Sequence, residues 1–395
     1  MLLSVSLIIL ISLMLAKIFN VLKLPPILGM LLAGMIMGPY ALNLIDSSIM
    51  NISTDLREIA LIVILIRAGL SLHVDDLKKV GRPAILLSFI PATIEIIAIT
   101  FLAPLFFDID TKTALVMGAI VAAVSPAVIV PRMIKLMASG YGRQKRIPHM
   151  ILASASIDDV YVIVLFYAFL QLAQGDSFHI STLINIPISI GLGIFIGIII
   201  GFITQKFFKI FHMRDTIKVL IIFAIGFLFM TLEDVLINII PFSGLLAVMA
   251  FGIAINHYYP ILSKRLVNKF EKIWVVAEIM LFVLVGALVN LDVLADVGLS
   301  AVILINIAVL FRLLGVFISL IKTKLNAKEK LFVAGSYTPK ATVQAAIGAI
   351  PLSLGLAHGE LILMISVLAI IITAPLGAVF IDVYDKKLLQ KQEKW

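Results

Sequence analysis

Seven ionisable side chains fall well inside apolar stretches of the chain: Arg67, Glu95, Asp158, Asp159, Glu278, Arg312 and Lys340. A charge at the centre of a helix in lipid costs roughly 2.5–3.5 kcal/mol, so residues like these are kept for pairing or for an ion path. Asp158 and Asp159 stand side by side in ASASIDDVYVIVLF (153–166). Adjacent helical positions diverge by about 100°, so two neighbouring carboxylates cannot fully share one coordination site. The expected division has Asp159 coordinating a cation while Asp158 meets a counter-charge. Carboxylate oxygens suit a hard ion such as Na⁺, and a carboxyl taken out of water holds a proton more readily. One such site can take a cation or protons in turn.

Lys340 follows Pro339 directly, where the backbone is expected to unwind. Beside Asp158 it would either lose its proton when a cation breaks the pair or stay charged as a structural partner. Ser125, Thr338 and Thr342 supply hydroxyls that could touch the ion or bond their own backbone. Glu95 and Arg312 lack local partners and are expected to pair with each other. Glu278 and Arg67 are expected to form a second pair or to join the first network.

The elements that must position these groups are membrane spans. The chain has 395 residues, 62% hydrophobic and 14% charged, with a mean hydropathy of +1.17, and a water-soluble domain of this size could not hide so much apolar surface. Crossing a hydrocarbon core takes about 20 helical residues. Apolar runs between polar breaks predict an all-α polytopic protein of about thirteen spans: 1–20, 27–44, 57–72, 82–107, 111–137, 147–173, 184–208, 215–232, 241–256, 267–290, 297–321, 328–353 and 359–382. Residues 1–395 then form a single transmembrane domain with no stretch left for a soluble one. The first charge is Lys17, so the N-terminal run reads as a retained helix and not a cleaved signal. The chain has no cysteine, and its six histidines fall mostly near loops, which argues against redox or zinc chemistry. With no His-containing metal motif or Ser-His pair inside the spans, no enzyme is expected.

The net charge of +8 is explained by topology. Odd-numbered loops hold the basic residues, among them Lys78, Lys79, Arg143, Lys145, Arg146, Lys264, Arg265 and Lys269, and the tail adds Lys386, Lys387, Lys391 and Lys394. Even-numbered loops are acidic or neutral, with Asp46, Asp55, Asp108, Asp110, Asp176, Glu233 and Asp234, and their only basic residues are Arg57 and Lys112. The positive-inside rule puts the N-terminus outside and the C-terminus in the cytoplasm. The expected surroundings are the lipids of the cytoplasmic (inner) membrane; nucleic-acid binding is not needed to explain the charge.

Two pairs of segments suggest an internal repeat. RAGLSLHVDDL (67–77) in the third span corresponds to VGALVNLDVL (285–294) in the tenth, and SPAVIV (125–130) in the fifth to TPKATV (338–343) in the twelfth. Residues 1–173 and 215–382 would be six-span repeats joined by a linker helix at 184–208. Seven spans separate equivalents, so the second copy enters from the opposite side. A helix-interior proline removes a backbone hydrogen bond, so Pro126, Pro131 and Pro339 are expected to unwind their helices. Interrupted helices at equivalent places in inverted repeats point to a transport site.

At IRAGL (66–70), the Glu95 helix, SPAVIVP (125–131), SIDDV (156–160), Arg312 and PKATVQAA (339–346) the chain resembles the sodium–proton antiporter superfamily, especially its NHA branch and bacterial relatives. The resemblance implies an NhaA/NapA-like fold with crossed broken helices, elevator movement against a dimerisation domain, and a homodimer. It implies Asp158 and Asp159 as cation and proton carriers, Lys340 as the core lysine, and no cofactor besides the transported Na⁺ or Li⁺ and H⁺. Electroneutral relatives carry Asn-Asp at 158–159 and arginine at the lysine position, which favours the electrogenic class. The expected function is exchange of Na⁺ or Li⁺ for H⁺ in pH and sodium homeostasis. Alternatives are a K⁺/H⁺ antiporter, a sodium-coupled organic-anion symporter of the same fold, and a channel or sensor.

Overall fold

The computed structural model describes residues 1–71, 81–174, 180–236 and 240–391, without the side chains of residues 180–187 and Asp234. Lys78, Lys79, Asp176, Lys394, two of the histidines (His73, His179) and the 72–77 part of the first repeat motif lie outside the described residues. The rest is nearly all helical: α1 (Leu2–Val21), α2 (Pro26–Met37), α3 (Ser47–Asn51), α4 (Ser53–Ser71), α5 (Arg82–Phe106), α6 (Thr111–Ala122), α7 (Pro126–Ser139), α8 (Ile147–Gln174), α9 (Ile180–Ile210), α10 (Asp215–Leu236), α11 (Gly244–Tyr258), α12 (Pro260–Ala287), α13 (Leu291–Ser319), α14 (Ala327–Ser336), α15 (Thr342–Ile347), α16 (Ile350–Ser353) and α17 (Gly359–Leu388). Among the described residues, eight helical stretches are long and apolar enough to cross a membrane, the broken α6–α7 run at Thr111–Ser139 counted as one.

The chain forms two compact units. Residues 1–53, 74–174 and 281–395 make the first, and residues 54–73 and 175–280 the second. In the first unit a buried cluster on α7, α8 and α14 (Met133, Leu136, Ile147, Ile151, Phe332) takes in Leu389 after α17. Asp110 caps α6, accepting from the Thr113 N–H at 3.0 Å. Burial alone would raise its carboxyl, but the Thr113 hydrogen bonds and the Lys112 charge outweigh this and hold it below the usual carboxylate range. The cap therefore works at neutral and alkaline pH and is lost as pH falls through that lowered range. In the second unit α9 packs on α11 through Gly193, Gly197 and Gly201. A Cβ on Gly197 would sit 2.4 Å from the Ala247 carbonyl oxygen, the close approach that small residues permit in lipid-embedded helices.

Three sequence expectations need correction. Lys264, Arg265 and Lys269 lie inside α12, which begins at Pro260 and not at 267. A hydropathy scan misses this start because the segment is amphipathic. Leu262, Leu266, Phe270 and Trp274, four residues apart, are buried, while Arg265 faces outward to Asp215 at 2.9 Å. Arg57 is likewise not a loop residue: it is buried in α4, with its Nη2 donating to the Thr54 hydroxyl. Pro131 does not unwind its helix, since α7 runs through it from Pro126 to Ser139. As the sixth residue of α7 it removes one ladder hydrogen bond, the one to the Ala127 carbonyl, and the helix continues past that single gap.

Candidate functional site

Two interruptions in the first unit build the site. Pro126 disfavours helical geometry at the residue before it, so α6 ends at Ala122, the backbone runs extended through Ala123 to Ser125, and α7 starts with Pro126 at its first position. Pro339 acts likewise between α14 and α15, leaving residues 337–341 unwound. On α17, Gly377 makes room for the kink, since a Cβ there would lie 2.6 Å from the Pro339 ring. The two unwound segments meet where the Ser125 N–H donates to the Pro339 carbonyl at 2.7 Å.

Broken helices leave terminal carbonyls without partners, and here side chains complete them. The Gln344 amide donates to Ile120, Val121 and Ala123 at 3.1, 3.2 and 2.9 Å, and Arg312 donates to Ala122. The Val124 N–H donates to Asp158 Oδ2 at 2.9 Å, and the Lys340 N–H to the Thr373 hydroxyl at 3.0 Å. Gln344→Leu is expected to strand the three carbonyls and cost about 1–3 kcal/mol, read as a lower unfolding midpoint in detergent. An unchanged midpoint would show that these carbonyls find other donors.

Arg312 sits at the centre of a fully buried charge cluster. Its Nη1 donates to Glu95 Oε2 at 3.0 Å, its Nη2 to both Asp158 oxygens at 3.1 Å, and its Nε to the Tyr337 carbonyl at 2.8 Å. Gly315, three residues further along α13, lets that helix touch α5. A Cβ on Gly315 would lie 2.7 Å from Pro91 Cα, and Pro91 is four residues before Glu95.

The expected Glu95–Arg312 contact is therefore present, but the expected partner of Lys340 is not. Lys340 Nζ lies 2.7 Å from Glu95 Oε1, not against Asp158. Asp158 is already filled by the guanidinium and the Val124 N–H, whereas the two oxygens of Glu95 can serve Arg312 and Lys340 separately.

Asp159 differs from its neighbour. It is partly exposed, and its Oδ1 is buried without a hydrogen-bond partner among the described residues. The Ser125 and Thr342 hydroxyls are also buried and unpartnered among the described residues, whereas Thr338, just past α14, donates to the Gly335 carbonyl near the end of that helix. With every group ionised, Glu95, Asp158 and Asp159 face Arg312 and Lys340, an excess of one negative charge. Among the described residues, Asp159 is the member without an ion pair.

Arg67 and Glu278 lie in the second unit and not in this cluster. The ion pair of Arg67 is with Glu271 at 3.6 Å. Glu278 accepts from the Trp274 side chain and lies within electrostatic reach of Arg67. The second pair was thus expected on the wrong glutamate: Glu271 and Glu278 are two turns apart on α12, and spacing alone cannot choose between them. Gln344 and Tyr337 escaped notice because neither carries charge, although a glutamine inside the apolar run PKATVQAAIGAI was the available signal.

Residues 7–383 match the family described as sodium/hydrogen exchanger, transmembrane. Sodium/hydrogen exchanger 9B2 of Mus musculus is 33% identical, over 95% of this chain and 72% of that protein, and 9B2 of Homo sapiens is 32% identical, over 94% and 71%. Sodium/hydrogen exchanger 9B1 of Mus musculus is 33% identical, over 95% and 68%. The fold matches the solved structure of the sodium proton antiporter MjNhaP1 from Methanocaldococcus jannaschii at pH 8, with a TM-score of 0.85 and 24% identity over 97% of both chains. With matches to the family and to these relatives along almost its whole length, the chain belongs to the sodium/hydrogen exchanger family.

Proposed function

We propose that this protein exchanges Na⁺ or Li⁺ for H⁺ as a secondary antiporter, with Asp159 as the group that changes partner. The observation carrying this reading is the single unbalanced carboxylate beside an otherwise paired buried cluster. A proton on Asp159 neutralises the excess charge, and so does a monovalent cation held by its oxygens. The two compete for one position, so entry of one expels the other. Asp158, Arg312, Glu95 and Lys340 hold the frame in which this exchange occurs, and the unpartnered hydroxyls of Ser125 and Thr342 supply further oxygens for a dehydrated ion. No cofactor enters the cycle.

The thirteen-span reading, with inverted repeats at 1–173 and 215–382 and a linker at 184–208, is supported by the two proline-interrupted segments meeting at the site. Alternating access then moves the helices that carry the cluster as an elevator against a dimerisation domain, in a homodimer of the cytoplasmic membrane with the N-terminus outside. The excess of basic residues on one set of loops supports that orientation.

In proteoliposomes bearing a pH gradient, Na⁺ or Li⁺ is expected to collapse the gradient, with K⁺ much weaker. Collapse by K⁺ alone would move the assignment to K⁺/H⁺ exchange. No collapse with any cation, together with sodium-driven uptake of an organic anion, would favour the symporter reading.

A further inference from the structure

Tyr337 is fully buried at the start of the second unwound segment, three residues before Lys340. Its phenol is hydrogen-bonded to the Ser154 hydroxyl. Ser154 spends its own proton on the Met150 carbonyl at 2.5 Å, so the phenol is the donor and Ser154 the acceptor. Ser154 lies four residues before Asp158 on α8, one turn away on the same face. At the other end of the residue, the Tyr337 carbonyl accepts from Arg312 Nε at 2.8 Å, and the guanidinium carbon lies 5.7 Å from the centre of the phenol ring. Arg312 in turn grips both oxygens of Asp158. The contacts close a ring: Ser154 to Tyr337, Tyr337 to Arg312, Arg312 to Asp158, and one helical turn back to Ser154.

We propose that Tyr337 is a positioning residue for exchange: by anchoring its phenol on Ser154 it fixes the backbone carbonyl that aims Arg312 at Asp158. It touches neither cation nor exchanged proton; it acts through Arg312. The proposal rests on the exchange reading given above. Without the anchor, the unwound segment can drift from α8, and the guanidinium moves off Asp158 toward Glu95. A less compensated Asp158 accepts a proton more readily. A proton on Asp158 removes a negative charge beside Asp159, so the cation binds more weakly there at a given pH and a higher pH is needed to restore it.

The test is a double-mutant cycle in proteoliposomes with Tyr337→Phe, Ser154→Ala and the pair together. Sodium-dependent proton flux is followed across pH, and unfolding midpoints are recorded in parallel. Tyr337→Phe keeps the ring and the carbonyl, and it strands no donor because Ser154 still donates to Met150. Tyr337→Phe is expected to shift the pH of half-maximal exchange upward by about 0.5–1 unit and to raise the apparent KM for Na⁺ about three- to tenfold, the scale of one neutral hydrogen bond. The maximal rate at alkaline pH stays within about twofold of the unmodified protein, because the reacting carboxylates are intact. Ser154→Ala removes the same bond from its other end, so it should give the same shift, and the double variant no more.

Superimposable pH profiles and KM values for Tyr337→Phe and the unmodified protein would overturn the proposal, as would single shifts that add in the double variant. If Tyr337→Phe fails to fold, Ser154→Ala carries the same test. Absence of sodium-dependent flux from the unmodified protein would sink the exchange reading and this proposal with it, whereas failure of Tyr337 alone leaves exchange intact.

Discussion

Asp159→Asn is expected to abolish sodium-dependent proton movement, to the level of protein-free liposomes, while leaving the unfolding midpoint almost unchanged. The variant keeps the size and shape of the side chain and removes only its capacity to carry a charge or release a proton. Asp159 holds no ion pair among the described residues, and its Oδ1 has no partner to lose, so the change in stability should stay within about 0.5–1 kcal/mol. Asp158→Asn provides the contrast. That residue accepts two hydrogen bonds from Arg312 and one from the Val124 N–H, and its loss leaves part of the guanidinium without a counter-charge. A clear drop in midpoint is expected for Asp158→Asn and not for Asp159→Asn. Retained sodium-dependent flux in Asp159→Asn would remove the central residue of the proposed function.

The second large effect concerns stability. Arg312→Met should destabilise the protein by about 3–5 kcal/mol, the cost of stranding one side of a buried ion pair. The methionine fills similar volume but gives nothing to Glu95 Oε2, to the two Asp158 oxygens, or to the Ala122 and Tyr337 carbonyls. Denaturation in detergent reads this directly. Adding Asp158→Asn should recover part of the loss, because it removes one stranded charge while Glu95 keeps Lys340 at 2.7 Å. Exchange should not recover, since the frame beside Asp159 has lost its guanidinium. A single variant that melts within about 1 kcal/mol of the unmodified protein would mean that the cluster relaxes without Arg312, contrary to its central place.

The interruption of both helices was legible from Pro126 and Pro339, because proline acts on its own backbone and on the residue before it, wherever the rest of the chain lies. Pro131 shows the limit of that reading: a proline inside a helix removes one ladder hydrogen bond, and α7 continues through that single loss. The beginning of α12 was missed for a related reason. A scan for apolar runs answers to mean hydropathy, and LSKRLVNKFEKIW hides its Leu262, Leu266, Phe270 stripe among charges.

The sequence by itself determined that this is a lipid-embedded helical protein, that its charged residues inside apolar runs must be compensated, and that Asp158 and Asp159 must diverge. Each of these follows from properties local to a few residues: side-chain hydropathy, the cost of a bare charge, and the 3.6-residue turn. Only the tertiary structure decided who compensates whom. Arg312 reaches Asp158 and Glu95 across 154 and 217 positions of chain, and Lys340 takes the oxygen of Glu95 that Arg312 leaves free. Gln344 completes the end of a helix more than 220 residues earlier. Composition and spacing show that such partners are needed, but the choice among them depends on which backbones approach closely enough. At Gly315 and Gly377 that approach is governed by packing between distant segments.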